Sequence, residues 1–192
     1  FSTQPSTGSG GRSINWPRGC VVGGSSSING LIFIRGQHKN FDDWAALGNS
    51  GWSFNDVLPY FRKLECFCGA PSQFHGHHGE LQVSQLRNSH PDCNSWMDAA
   101  QQYGLPHNPD FNGKTTEGIG EYHLSIGSRW RSSSASAFLK PIRHRKNLQI
   151  LTRAFTERVL FQNKTAVGVE VTIGGESLQI FAKSEVILCA GS

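Results

Sequence analysis

Gly19-Cys20-Val21-Val22-Gly23-Gly24-Ser25-Ser26-Ser27-Ile28-Asn29-Gly30, followed at once by Leu31-Ile32-Phe33-Ile34, is the most informative stretch of this chain. Two adjacent glycines remove side chains, so the backbone can lie close against another group. Three serines then offer hydroxyls and amides at what reads as a helix start, where exposed amides suit phosphate oxygens. Asn29 adds a side chain that both donates and accepts hydrogen bonds. The same Gly-Ser composition also describes a structural turn or a flexible linker. Val21 and Val22 on one side, with Ile28 and residues 31–34 on the other, argue against a linker, because linkers are not flanked by core residues. A ligand-binding loop and a structural turn both remain open.

Working outward, Asp42 and Asp43 read as the cap of a short helix carrying Trp44, Ala45 and Leu47. Ser53, with Asp56 three residues later, resembles a capping box, and Val57, Leu58, Phe61 and Leu64 follow at helical spacing. Another helix opens at Pro91 and Asp92, carries Trp96, Met97, Ala100 and Tyr103 on one face, and closes at Gly104. A last helix is expected over 134–145. Strands are expected over 149–152, 156–161, 166–173, 178–182 and 185–190. Asn163-Lys164 and Gly174-Gly175 are the turns between them. The final run, Val186-Ile187-Leu188-Cys189-Ala190, does not alternate and reads as a strand buried on both faces. The mixture implies an α/β or α+β layered fold with a β-meander.

The chain has 192 residues, of which 22 are glycine, and a net charge of +4. That charge is too mild to demand a nucleic-acid or anionic-membrane partner. No apolar run approaches the roughly 20 residues of a membrane-spanning helix. Five cysteines at irregular spacing argue against a disulfide framework and for a reducing compartment. Cys66-Phe67-Cys68 is too tightly spaced for the common zinc pattern, and no metal site is expected. His75-Gly76-His77-His78 reads as a solvated turn, since no acidic or cysteine partner lies at a helical offset. There is no G-x-G-x-x-G and no G-x-S-x-G. Starting at Phe1 and ending just after an apolar run, the sequence reads as an internal piece of a longer protein.

The segment 19–29, with Phe33, Gly36 and Asp42 at fixed distances, resembles the first signature of the glucose-methanol-choline (GMC) family of flavin oxidoreductases. The flanks agree: Trp16-Pro17-Arg18-Gly19, Ile34-Arg35-Gly36, Phe41-Asp42-Asp43-Trp44-Ala45, Gly51-Trp52 and Val57-Leu58-Pro59-Tyr60-Phe61. Residues 131–141 are similar to the family's return into its flavin domain, and residues 147–161 and 182–192 resemble the strands that follow. The likeness is weakest over 66–130, and within the family the choline-dehydrogenase-like alcohol dehydrogenases are the most similar.

The resemblance implies an FAD-binding, Rossmann-like domain in 1–65 and 131–192, and part of a substrate-binding domain in 66–130. It implies oxidation of a small-molecule alcohol by hydride transfer to FAD, and leaves open whether oxygen or a quinone reoxidises the flavin. Alternatives are a hydroxynitrile-lyase-like member that keeps FAD, or a non-enzymatic nucleotide- or carbohydrate-binding module. Covalent members carry a flavin-linked histidine where this chain has Ile28, so the FAD is expected to be non-covalent. The family's cofactor contacts map onto Val22, Ser25, Asn29, Gly30, Leu31 and Ile32. A backbone contact to the adenine maps onto Thr156. Arg18 and Arg35 are candidate charges near the flavin, but read better as solvated or structural. The family's catalytic histidine lies further downstream, none of the eight histidines here fits its motif, and no catalytic residue is expected in this piece. The family's second signature would begin at Gly191-Ser192.

Overall fold

The structure, a computed structural model, describes residues 2–191; Ser192, where the second signature would begin, lies outside the described residues. The chain divides into two compact units, with the division between His144 and Arg145.

The first unit has little regular structure and much bracing. After a 3-10 turn at Thr7–Ser9, the glycine-serine segment forms a second one at Gly24–Ser27. Then come β1 (Ile32–Phe33), α1 (His38–Ala46), α2 (Phe54–Leu64), β2 (Glu65–Phe67), β3 (Leu81–Val83), α3 (Pro91–Gln102) and β4 (His123–Leu124). A π-helical turn, Ala135–Leu139, leads into the single α-helical turn α4 (Lys140–Ile142). β1 pairs antiparallel with β4, and β2 pairs parallel with β3.

α2 begins as its sequence indicates: Ser53 and Asp56 form a reciprocal capping box. α1 begins earlier than expected. Gln37 is its cap, with the Gln37 amide donating to Asn40 Oδ1 at 2.9 Å. Asp42 and Asp43 lie inside the helix, and Asp42 Oδ1 instead accepts from the amide of Phe54 at 2.9 Å, so it caps the next helix. α3 matches its pattern, ending at Gly104 with φ +107°. Its expected apolar face is only half covered, for Trp96 and Tyr103 stay exposed.

The helix expected over 134–145 is reduced to the π turn and α4. Pro141 cannot donate, and its ring collides with the carbonyl four residues back in a regular α-helix, so the preceding turn widens.

Few apolar side chains of this unit are fully buried: Phe54, Phe67, Val83 and Ala137. Around them sits a larger set of buried polar groups, among them Arg35, Glu65, His75, Asn112 and His123. Such groups persist in an interior only when they satisfy one another.

The second unit is an antiparallel meander of β5 (Ala154–Gln162), β6 (Thr165–Ile173) and β7 (Glu176–Phe181). Its turns are the expected ones, with Asn163 at φ +56° and Gly174 and Gly175 at +61° and +91°. Residues 149–152 form no strand, and neither do 185–190, where Ile187 and Leu188 are exposed. A strand exists only by pairing, and no strand among the described residues pairs with either segment.

Candidate functional site

The glycine-serine segment is stiff because its own serines and a distant segment brace it. Ser25 Oγ accepts from the Gly19 amide at 3.2 Å, and Ser27 Oγ donates to the Val22 carbonyl at 3.0 Å. Ser26 Oγ donates to Gly23 O at 2.6 Å and accepts from the Ser134 amide at 3.0 Å. Ser134 Oγ also donates to Gly23 O at 3.0 Å. Arg131 Nη1 donates to Ser26 O at 3.2 Å and to Asn29 Oδ1 at 2.5 Å. The same Asn29 oxygen accepts from the Leu31 amide at 3.1 Å, which holds Leu31 at φ +70°.

The glycines are needed where the chain folds onto itself. A Cβ on Gly19 would lie 2.3 Å from Gly24 O, and one on Gly23 would lie 2.9 Å from the Ala135 Cβ. The serine hydroxyls are therefore spent on bracing rather than held out to a ligand. The 3-10 turn is four residues long, too short for a helix macrodipole. What the segment holds outward is apolar: Val22, Ile28 and Ile32 are about half exposed, and the space beside Gly24 and Gly30 is open.

Beyond β1 lies a buried ring of polar groups. Arg35 donates from Nη2 to Glu65 Oε1 and from Nη1 to Phe74 O. Glu65 Oε1 also accepts from the Gly76 amide at 2.9 Å and from His75 Nδ1 at 3.0 Å. His75 Nε2 donates to Asp110 Oδ2 at 2.9 Å. Asp110 Oδ1 accepts from the Asn112 amide at 2.9 Å. Asn112 closes the ring: its Oδ1 accepts from the Arg35 amide at 2.8 Å, and its Nδ2 donates to Phe33 O at 3.0 Å.

Both His75 nitrogens face carboxylates, so both carry protons. Burial pulls the His75 pKa down, but the bonds to Asp110 and Glu65 outweigh it and push it up to about 9. Burial would raise the Glu65 and Asp110 pKa values, yet His75, with Arg35 beside Glu65, holds both below the usual carboxylate range. Burial keeps His123 neutral, its pKa lowered. His75, Asp110 and His123 bring ligand atoms within 4.8 Å of one another, a spacing a metal could use. Two cations and two carboxylates already balance there without one.

This corrects the reading of His75-Gly76-His77-His78 as a solvated turn: His75 and Gly76 are buried, and only His78 is exposed. Spacing along the chain could not reveal it, because the acidic partners come from the start of β2 and from the loop at 110. Arg35, read as solvated or structural, is buried and bonded to Glu65 and to the Phe74 carbonyl.

A cavity of about 880 Å³ opens beside β1, lined by Ile32, Ile34, Trp96, Met97, Phe111 and Tyr122 among others. Of the residues singled out from sequence, Val22, Ser25, Asn29, Gly30, Leu31 and Ile32 lie on or directly after the braced turn and none is buried, and Ile32 also walls the cavity. Thr156 lies in the second unit, on β5 opposite Val171. Arg131 and Ser134, which lock the segment, were not singled out individually.

A family model described as GMC oxidoreductase matches residues 4–192. The chain belongs to the GMC oxidoreductase family. Among GMC-type relatives, it is 38% identical over 194 aligned positions to the oxygen-dependent choline dehydrogenase of Photobacterium profundum, covering all of this chain and 34% of that protein. It is 39% identical to the enzyme of that name from Brucella ovis, again over the whole chain and 35% of the relative. The chain thus spans about a third of the length of the curated relatives it matches.

Among solved structures, it is similar to an FAD-dependent oxidoreductase from Chaetomium thermophilum, with TM-score 0.86, 29% identity, and coverage of 95% of this chain and 34% of that one. Pyridoxine 4-oxidase from Mesorbium loti aligns with TM-score 0.85 at 28% identity, over 94% of this chain and 36% of that one. The mixed helix-strand architecture is that of these GMC structures. No helix among the described residues is long and apolar enough to cross a membrane.

Proposed function

We propose that this chain is the part of an FAD-dependent alcohol oxidoreductase that beds the flavin and walls one side of the substrate cavity. The observation that carries this reading is the braced segment 19–32, which keeps apolar side chains and open glycine positions turned outward on a backbone that cannot relax onto them. A large flat heteroaromatic group fits such a surface in kind. It needs close backbone approach, supplied at Gly24 and Gly30, and apolar contact, supplied by Val22, Ile28 and Ile32.

FAD, when bound, supplies the hydride acceptor for oxidation of a carbinol carbon. The residues of this chain bind and orient. Val22, Ser25, Asn29, Gly30, Leu31 and Ile32 are assigned to the flavin and its pyrophosphate, Ser25 through its backbone because its hydroxyl braces Gly19, and the backbone of Thr156 to the adenine. Ile28 has no atom able to bond covalently to a flavin, which supports non-covalent FAD. A firmly held bed accelerates reaction because no reorganisation is needed when charge develops on the ring. The cavity bounded by Ile32, Trp96 and Phe111 is assigned to a small alcohol, with oxygen or a quinone as the eventual electron acceptor. Residues 1–65 and 131–192 are assigned to the cofactor domain and 66–130 to the substrate domain. The bonds from Arg131 and Ser134 to the segment at 23–29 support grouping residues 131–134 with 1–65.

The test is the visible spectrum of the full-length protein. Flavin absorption bleached by a primary alcohol without oxygen is the expected result. Flavin absorption that persists across a broad alcohol panel would point to a lyase-like member. No flavin after refolding with FAD would point to a binding module and overturn the reading.

A further inference from the structure

The ring of buried polar groups begins and ends on one residue. From the Arg35 amide it passes through Asn112, Asp110, His75 and Glu65, and it returns to the Arg35 guanidinium. Asn112 is 4% exposed, and its carboxamide grips the strand at two points, the carbonyl of Phe33 and the amide of Arg35. In an extended chain, the C=O of one residue and the N–H of the second residue after it point to the same side. The amide of Asn112 therefore does for residues 33–35 what a neighbouring strand does, on a strand whose pairing with β4 covers only Ile32 and Phe33. Ile32 and Ile34, on either side of Phe33, both line the cavity.

We propose that Asn112 is the positioning residue for this segment. It sets the depth and register at which Ile32 and Ile34 enter the cavity, and the Asp110–His75–Glu65–Arg35 ring holds Asn112 in place. The inference rests on the assignment of the Ile32 surface to cofactor and substrate. Asn112 touches neither; it acts through the strand it holds.

The experiment uses the full-length protein carrying Asn112→Leu, which has the same branched outline and number of heavy atoms but cannot make either bond. Asn112→Ser is read the same way should the leucine variant not fold. Amide hydrogen exchange over residues 32–35 is measured first, because it needs neither flavin nor turnover. Protection of the Arg35 amide is expected to fall about tenfold or more. In the holoenzyme, KM across an alcohol panel is expected to rise about tenfold or more while kcat changes less, with a shifted visible flavin band.

Unchanged exchange at 32–35 would overturn the proposal. So would looser exchange accompanied by wild-type flavin absorption and wild-type KM, since the grip would then serve only the fold. A full-length wild type that binds no flavin would defeat the functional reading alone. In that case the exchange measurement still decides whether Asn112 holds the strand.

Discussion

Arg131 reaches back along 102 residues of chain to donate from Nη1 to the side-chain oxygen of Asn29 at 2.5 Å. That oxygen also holds the Leu31 amide, so one guanidinium stiffens the whole exit of the glycine-serine segment. Neither residue is buried, and the bond lies open to water. Its worth is therefore in geometry more than in stability.

Arg131→Met should accordingly separate the two. Unfolding stability is expected to fall by only about 1 kcal/mol, while FAD dissociates from the full-length protein about tenfold faster. Asn29→Leu should act in the same direction, and the double variant should be little worse than either single one. FAD retained on gel filtration, read with the denaturation midpoint, checks this. Additive losses would mean that the two side chains act independently.

Gly30 and Gly19 make a contrasting pair. A Cβ on Gly30 meets nothing within 4 Å, whereas one on Gly19 would lie 2.3 Å from a backbone oxygen. Gly30→Val should leave stability within about 0.5 kcal/mol of wild type yet weaken FAD binding about tenfold or more. Gly19→Ala should cost about 1–3 kcal/mol of stability outright. Urea unfolding alongside FAD titration gives both numbers, and unchanged FAD affinity in Gly30→Val would remove Gly30 from the cofactor surface.

The ring at His75 makes stability depend on pH with a definite sign. The His75 pKa is raised from 6.5 to about 9, so its contribution is complete below pH 6.5, declines from there, and is gone above about 9. Glu65 and Asp110 are lowered from 4.5 and 3.8, so their contributions are complete above those values and are lost as the pH falls through them. These three groups together stabilise the first unit most between about pH 4.5 and 6.5, while His123, whose pKa burial lowers, works against them as the pH falls below 6.5. Thermal unfolding across pH checks this, and His75→Gln should flatten the alkaline limb. An alkaline limb left intact in that variant would place its origin elsewhere.

Glu65 Oε1 is the shared acceptor of Arg35, His75 and the Gly76 amide. Glu65→Leu leaves Arg35 and His75 buried without their shared acceptor and should cost about 3–5 kcal/mol. Removing Arg35 as well, as Arg35→Met with Glu65→Leu, should recover part of that loss, because one stranded charge disappears. A double-mutant cycle by chemical denaturation measures the coupling, and a double variant as poor as the sum of the single ones would contradict it.

Which of these features could be read along the chain follows from the range over which each acts. The Ser53–Asp56 box, the stop at Gly104 and the hairpin turns at Asn163 and Gly174 depend on atoms within a few residues, so residue order alone specifies them. The three-stranded meander follows, because its strands are sequence neighbours joined by those turns. The family signature in 19–29 is legible for the same reason: close backbone approach calls for glycine at particular places. The bonds of Arg131 to Asn29, Asp110 to His75, and Asn112 to the 33–35 backbone join residues 35 to 102 positions apart. The expected strand at 185–190 has no partner among the described residues. Residue order by itself determined where this chain turns, caps and bares its backbone. Tertiary structure alone decided which charges would be buried together and what would hold the exposed segment rigid, because a buried charge is tolerated only beside partners that distant parts of the chain bring to it.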